Sequence, residues 1–274
     1  MQISITDSFD LQKIADSGQC FRAKKIDTET FRFITGLHVL YIRQIDSGHY
    51  DVSCTPDEWR GVWNNYFDFN RNYMQLKNSI PEQDSFLRKA CEYSLGIRIL
   101  NQDHWETLIS FIISQRKSIP AIKQSIELLA YTYGRPISTQ YETVFSFPSA
   151  DMLKHLTLED FKLLKVGYRD KYIMDAIQKV TQGTINLNEL ESYSDTNLFN
   201  TLCSIHGVGR KVANCVGLFS YGRSSFAPID TWIQKIIDSY YGGQNPFPSY
   251  GNNAGIMQQY FFYYSLEHKG EFSL

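Results

Sequence analysis

The stretch richest in potential chemistry is Leu202-Cys-Ser-Ile-His-Gly-Val-Gly-Arg-Lys-Val-Ala-Asn-Cys-Val216. Two helical patterns meet there at His206-Gly-Val-Gly209. Glycines at such a corner admit positive φ and let backbone N–H groups approach a ligand closely. The second pattern opens immediately afterwards, and a helix N-terminus presents unpaired N–H groups and the positive end of its dipole. Together, Gly207, Gly209 and the N–H of Val212 could grip a phosphate without reading any base. A plain corner between two helices is the structural alternative. Lys211 lies just inside the second helix and Cys215 four residues on, so both project from one face. Further along, Ala227-Pro-Ile-Asp230 precedes the helical Thr231-Trp-Ile-Gln-Lys-Ile-Ile237. Asp230 is a good N-cap there, and a capping carboxylate can leave its second oxygen for a cleft. A lysine and an aspartate at two helix N-termini, beside a phosphate-binding turn, suit chemistry at a deoxyribose C1′.

The elements that would position these residues can be read from hydrophobic periodicity. Thr30–Thr35 and Leu37–Ile45 are rich in β-branched and aromatic residues, with Gly36 between them, and Asp46-Ser-Gly48 marks a turn before His49–Ser53. From Pro56 onward the helical period takes over. Trp105, Leu108, Ile109, Ile112 and Ile113 trace one buried face, and Pro120 starts a helix with Ile122, Ile126, Leu129 and Tyr133 inside, ended by Gly134 and Pro136. Tyr172, Ile173, Ala176, Ile177 and Val180 form another stripe. Leu198, Phe199, Leu202 and Ile205 lead into the glycine corner, and Gly255–Leu266 closes the chain as a very aromatic helix. The expected class is α+β: a small N-terminal antiparallel β-sheet domain with flanking helices over 1–95, then an all-α helical region over 96–274 whose last helix completes the site.

Composition narrows the function classes. A chain of 274 residues with 43% hydrophobic content has material for a sizeable core. The aromatic share of 15% suits either core building or stacking on bases. The net charge of -2 gives no bulk basic signal for nucleic acid. Local clusters do occur, at Arg116, Lys117 and Lys123, at Lys162, Lys165, Arg169 and Lys171, and at Arg210 and Lys211. The five cysteines form no CxxC and match no zinc spacing. No signal peptide, long apolar run, heptad pattern or organic-cofactor motif is visible. These features predict a monomer with no membrane association and no redox cofactor, in a reducing cytoplasm or, in a eukaryote, the nucleus.

The hairpin, Gly-Val-Gly-x-Lys and then Pro-Ile-Asp resemble the helix-hairpin-helix Gly/Pro-Asp DNA glycosylases, in which a hairpin lysine marks the bifunctional members. The iron–sulfur branches carry four clustered cysteines after the catalytic region, whereas no cysteine follows Cys215 here. The resemblance runs instead to the 8-oxoguanine DNA glycosylase/AP lyases and covers nearly the whole chain. Ser17-Gly-Gln-Cys-Phe-Arg22 resembles the family segment whose glycine carbonyl, at Gly18 here, reads the N7 hydrogen of 8-oxoguanine. Gly167-Tyr-Arg-Asp-Lys-Tyr172 resembles the segment placing Tyr168 and Arg169 at the gap left by the extruded base. Gln258 and Phe262, spaced i, i+4, match a glutamine that reads the base edge and a phenylalanine that stacks on it; core packing is the plain alternative. Cys215 matches the opposite wall of that pocket.

The resemblance implies base excision through a Lys211 Schiff base, with Asp230 as partner, followed by β-elimination on duplex DNA containing oxidised guanine. No cofactor is required, although in relatives the hairpin carbonyls, here of Cys203, Ile205 and Val208, hold a monovalent cation such as Na or K. The chain also departs from the pattern. Ser114-Gln-Arg-Lys-Ser118 replaces consecutive asparagines, leaving Arg116 as a DNA-contact candidate, and Ala121 stands where relatives carry an arginine. Looser discrimination of the opposite base is the expectation. Trp232 replaces a phosphate-contacting histidine. Two alternatives remain: a glycosylase for another damaged base such as an alkylated purine, and a non-catalytic hairpin module that only binds DNA.

Overall fold

The computed structural model describes residues 1–272; the last two positions of the expected helical region, Ser273 and Leu274, lie outside the described residues. A five-stranded antiparallel sheet is built from β1 (Gln2–Ser4), β2 (Lys24–Lys25), β3 (Thr30–Thr35), β4 (His38–Asp46) and β5 (His49–Val52), in the order β1-β5-β4-β3-β2. The three strands expected from alternation are present as β3, β4 and β5. The outer strands β1 and β2 are too short to show a period. Phe31, Phe33, Leu40 and Ile42 are buried, and a register shift between Gln44 and Asp46 marks a bulge at the end of β4.

The chain divides into two compact units. One comprises 1–32, 40–101 and everything from Gly222 onward; the other comprises 33–39 and 102–221. Neither unit is a single continuous stretch of the chain. Physically, the first unit needs the C-terminal helix as core. Helix Ala254–Glu267 packs on helices Ser85–Ser94 and Thr231–Tyr240. Ser94 Oγ donates to the Tyr260 carbonyl at 3.2 Å, and Gln259 Nε2 donates to the Ser17 carbonyl at 2.6 Å. Apolar and aromatic residues stand all round this helix, as in a helix surrounded by protein, and Gln258, Gln259 and Ser265 are buried with them.

The second unit is helical apart from the short pair Pro136–Ser138 and Thr143–Phe145 and the sheet-hairpin tip at 33–39. Helix His104–Ser114 is capped by Asp103, whose Oδ1 accepts from Glu106 N at 2.8 Å, and it buries Leu108, Ile109, Ile112 and Ile113 completely. Helix Ile119–Tyr133 starts with Pro120 in its first turn and ends at Gly134, where a Cβ would sit 1.9 Å from the Ser146 carbonyl oxygen. Helix Asp170–Thr181 buries Ile173, Ala176 and Ile177, as the stripe expected. Among the described residues, no helix is long and apolar enough to cross a membrane.

Candidate active site

In the second unit, helix Asp195–Cys203 runs into the glycine turn and helix Arg210–Phe219 runs out of it, with Gly209 as N-cap. Ile205 and Val208 are 1% and 5% exposed and seat the turn, which Val208 N closes by donating to the Ile205 carbonyl at 3.0 Å. Gly207 has φ +81, and a Cβ there would lie 2.2 Å from the Tyr172 ring. Both conformation and space demand glycine at this position. Gly209 differs: no heavy atom lies within 4 Å of where its Cβ would stand, so this glycine leaves open space in front of the helix end. Among the described residues, the N–H groups of Gly207, Gly209 and Val212 donate to no acceptor. Three free donors at a helix start form an anion cradle.

Residues invisible in the motif hold this turn in shape. His206 N donates to Asp175 Oδ2 at 2.7 Å, Lys179 Nζ pairs with the same oxygen at 2.9 Å, and Lys179 Nζ also donates to the Ser204 carbonyl at 2.6 Å. Partial burial raises the Asp175 pKa, but the Lys179 ammonium and the His206 N–H outweigh it and hold the carboxyl below its ordinary range. Gln115 Nε2 donates to the Gly207 carbonyl at 3.1 Å, while the Gln115 carbonyl accepts from Arg169 Nε at 2.9 Å. Sequence reading missed all three scaffolding residues. The Asp175–Lys179 spacing of i, i+4 was a usable signal for an ion pair, whereas nothing local marks Gln115.

Lys211 is half-buried in the first turn of its helix, its Nζ 5.1 Å from the centre of the Phe111 ring. Among the described residues it makes no ion pair or hydrogen bond. Phe111 stacks on Phe219 at 5.5 Å, which fixes the apolar floor beneath the amine. Cys215, one turn along the same helix, is 2% exposed. Arg116 is exposed, with φ +49, and makes no side-chain hydrogen bond among the described residues. Tyr168 is half-exposed with the Arg169 guanidinium 4.5 Å from its ring centre. Arg169, expected at the gap in the duplex, is turned inward: it is 6% exposed and donates to the carbonyls of Gln115 and Val166.

The remaining candidates belong to the first unit. Asp230 Oδ1 caps helix Thr231–Tyr240 by accepting from Trp232 N at 3.0 Å and Ile233 N at 2.9 Å. Its Oδ2 accepts no hydrogen bond among the described residues, so the cap role leaves one oxygen over. Trp232 lies beneath the Lys235 ammonium, 5.1 Å from the ring centre. Gly18, at φ +74, forms a turn locked by Gln19, whose amide donates to Ser17 Oγ and the Arg98 carbonyl and accepts from Leu100 N. The Gln259–Ser17 bond ties this turn to the final helix. On that helix Gln258 is 3% exposed, and its buried Oε1 has no hydrogen-bond partner among the described residues. Between Ala254 and Ser265 every residue is buried except Phe262. An amide oxygen without a partner among the described residues and a partly uncovered ring therefore stand one turn apart on this helix.

The family model for the 8-oxoguanine DNA glycosylase N-terminal domain matches residues 2–108. Over nearly its full length the chain is similar to two solved structures. MBOgg1 in complex with a low-affinity DNA ligand is 35% identical, with a TM-score of 0.92, covering 98% of this chain and 96% of that one. The Clostridium acetobutylicum 8-oxoguanine glycosylase/lyase, in complex with dsDNA containing cytosine opposite 8-oxoG, is 31% identical with a TM-score of 0.89, covering 98% of each chain. The Arabidopsis thaliana N-glycosylase/DNA lyase OGG1 is 29% identical over 82% of this chain, which spans 64% of that relative's length. On the identity and coverage of the two solved relatives, the chain belongs to the 8-oxoguanine DNA glycosylase/lyase family.

Proposed function

We propose that the chain acts alone on duplex DNA, removing 8-oxoguanine and then cleaving the strand at the resulting abasic site. The carrying observation is the half-buried Lys211 amine, without an ion pair or hydrogen bond among the described residues, in the first turn of a helix whose hairpin leaves three N–H groups without acceptors among them. Those groups grip a phosphate next to the damaged nucleotide, which must leave the stack for its glycosidic bond to be reached. Gly18, Cys215, Gln258 and Phe262 receive the base, with the Gln258 Oε1 gaining the hydrogen bond it lacks. Lys211 Nζ attacks C1′, the C1′–N9 bond breaks, and the base leaves with the electron pair and takes up a proton. The free Asp230 oxygen stabilises positive charge developing on the sugar. The sugar ring then opens, C1′–O4′ breaking as O4′ takes up the amine's proton, to give a Schiff base between Lys211 and C1′; loss of a C2′ proton follows, and the 3′ C–O bond breaks with the phosphate as leaving group.

The hairpin carbonyls are compatible with a bound Na or K ion. Among the described residues those of Cys203 and Val208 accept no backbone hydrogen bond, and that of Ile205 accepts one. Such an ion would strengthen the positive field at the phosphate. Opposite-base reading is proposed to be loose, because Ala121 offers no side-chain donor and the Arg169 donors are engaged with carbonyls.

Borohydride trapping tests this reading, using duplexes with one 8-oxoguanine opposite cytosine or opposite adenine. The wild type is expected to form a covalent adduct on both, to similar extents, and Lys211→Gln on neither. An adduct on alkylated-purine or undamaged duplexes alone would overturn the substrate assignment. Base release that survives Lys211→Gln would overturn the Schiff-base route, and a strong cytosine preference would overturn the loose-reading claim.

A further inference from the structure

One strongly charged feature of the second unit plays no part in the chemistry above. An open cavity of about 720 Å³ is lined by Lys162, Lys165, Lys171, Tyr168, Tyr172 and His206, with Gly167 and Asp170. The only carboxylate in the lining, Asp170, has Oδ1 engaged by the Lys171 backbone N–H at 2.7 Å. Lys165 and Lys171 are exposed and their side chains make no hydrogen bond or ion pair among the described residues. Lys162 has only an exposed pairing with Glu159, of the kind contributing little to stability.

The backbone around the cavity is held in a conformation that needs a reason. Lys165 has φ +55 and Gly167 φ +60. A non-glycine residue in this region costs on the order of 1–3 kcal/mol and persists only where surroundings enforce it. Here Lys117 Nζ donates to the Lys165 carbonyl at 2.6 Å, and Ser125 Oγ to the same oxygen at 3.2 Å. A buried hydroxyl and a second lysine are thus committed to fixing the peptide that presents Lys165 to the cavity. Burial, Arg169 and Lys165 together hold the Lys117 pKa below its usual value, a mark of crowded positive charge. The cavity is continuous in structure with the hairpin: Tyr172 lies directly under Gly207, and its ring meets that of His206 at 4.8 Å.

We propose that this lysine cavity is a second phosphate-binding surface, which takes the sugar–phosphate backbone of the duplex outside the grip of the hairpin amides and supplies sequence-independent affinity. The proposal rests on the DNA-repair reading for its partner but not for its test. Cationic side chains release condensed counterions on binding, so each phosphate neutralised contributes about 0.9 to the slope of log Kobs against log salt. Exposed lysines suit that role because they meet a backbone as point charges, without fixing register.

The test measures binding of an undamaged duplex by fluorescence anisotropy across a salt series. Compared with wild type, Lys162→Gln/Lys165→Gln/Lys171→Gln is expected to lower the magnitude of the slope by about 2–3. A control removing the same charge from the other unit, Lys24→Gln/Lys25→Gln/Lys269→Gln, is expected to change it by less than about 1. Equal slopes for wild type and the cavity variant, or equal losses in both variants, would overturn the proposal. All six positions are exposed or edge lysines, and circular dichroism confirms folding; the single Lys171→Gln, with an expected loss of about 0.9, keeps the test open should the triple variant misfold. Loss of the borohydride adduct with the slope difference intact would sink the glycosylase reading alone.

Discussion

Gln258 concentrates, in one side chain, the conflict between stability and function. A buried acceptor with no partner costs roughly 1–3 kcal/mol, and the Gln258 Oε1 is such an acceptor. Binding sites retain costs of this kind because a ligand removes them. Gln258→Met is therefore expected to stabilise the free protein by up to about 1 kcal/mol in a thermal melt. The same variant should lower single-turnover base release about 10–100-fold, equivalent to one or two tenfold steps of 1.36 kcal/mol. A variant that melts earlier and excises normally would show that Gln258 is simply core. The residues of this site were legible from sequence only through their pattern. Taken alone, Gln258 and Phe262 on an aromatic helix favour core packing. Only burial shows that one is missing a partner and the other is uncovered.

Among the elements, the hairpin is the one whose shape depends most on its neighbours. Its glycines permit the turn, but Asp175, Lys179 and Gln115 fix it. Asp175→Asn removes the charge from the Lys179 and His206 contacts and is expected to destabilise the fold by about 1–3 kcal/mol, measured in urea. It should also weaken duplex binding, since three donor N–H groups must be aimed together. Because the folded-state pKa of Asp175 is depressed, its contribution is fully present above the ordinary carboxylate range. It is lost as the pH falls through that depressed value, so wild type and Asp175→Asn should converge in stability at strongly acidic pH. A constant difference down to that pH would contradict the assignment. The helices themselves followed from periodicity, as in His104–Ser114 and Asp170–Thr181, since a 3.6-residue apolar stripe is a local property. The Asp175 contact was not legible as an anchor, because its acceptor role joins residues 31 apart in the chain.

For the whole molecule, the controlling fact is that the first unit is assembled from three separated segments. Phe86 stacks on Tyr240 at 4.2 Å and meets Phe261 edge-on at 5.0 Å, so helix Ser85–Ser94 finds its core among the last fifty residues. Each large apolar side chain stripped of that cover forfeits about 1.5–3 kcal/mol, against a total stability of roughly 5–15 kcal/mol. A chain ending at Tyr221 is accordingly expected to leave residues 1–101 unfolded, seen as loss of near-ultraviolet dichroism and rapid proteolysis. A protease-resistant 1–101 fragment would show that the sheet unit is self-sufficient. This arrangement also explains why a linear boundary near residue 95 was the natural expectation. Composition along the chain shifts from strands to helices there, but cores are filled by long-range contacts that a one-dimensional reading does not contain.

By itself, the sequence determined the class of the fold, the three longer strands, the main helices and the hairpin with its lysine, because periodicity, turn chemistry and motif spacing are written in neighbouring residues. It also carried the family resemblance, since Gly-Val-Gly-x-Lys and Pro-Ile-Asp are short and ordered. Only the tertiary structure decided that Asp230 keeps a free oxygen while capping its helix, that Arg169 turns inward to the Gln115 carbonyl, and that scattered lysines gather round one cavity. Those outcomes depend on which distant groups compete for the same donors and acceptors, and that competition is settled when the chain packs.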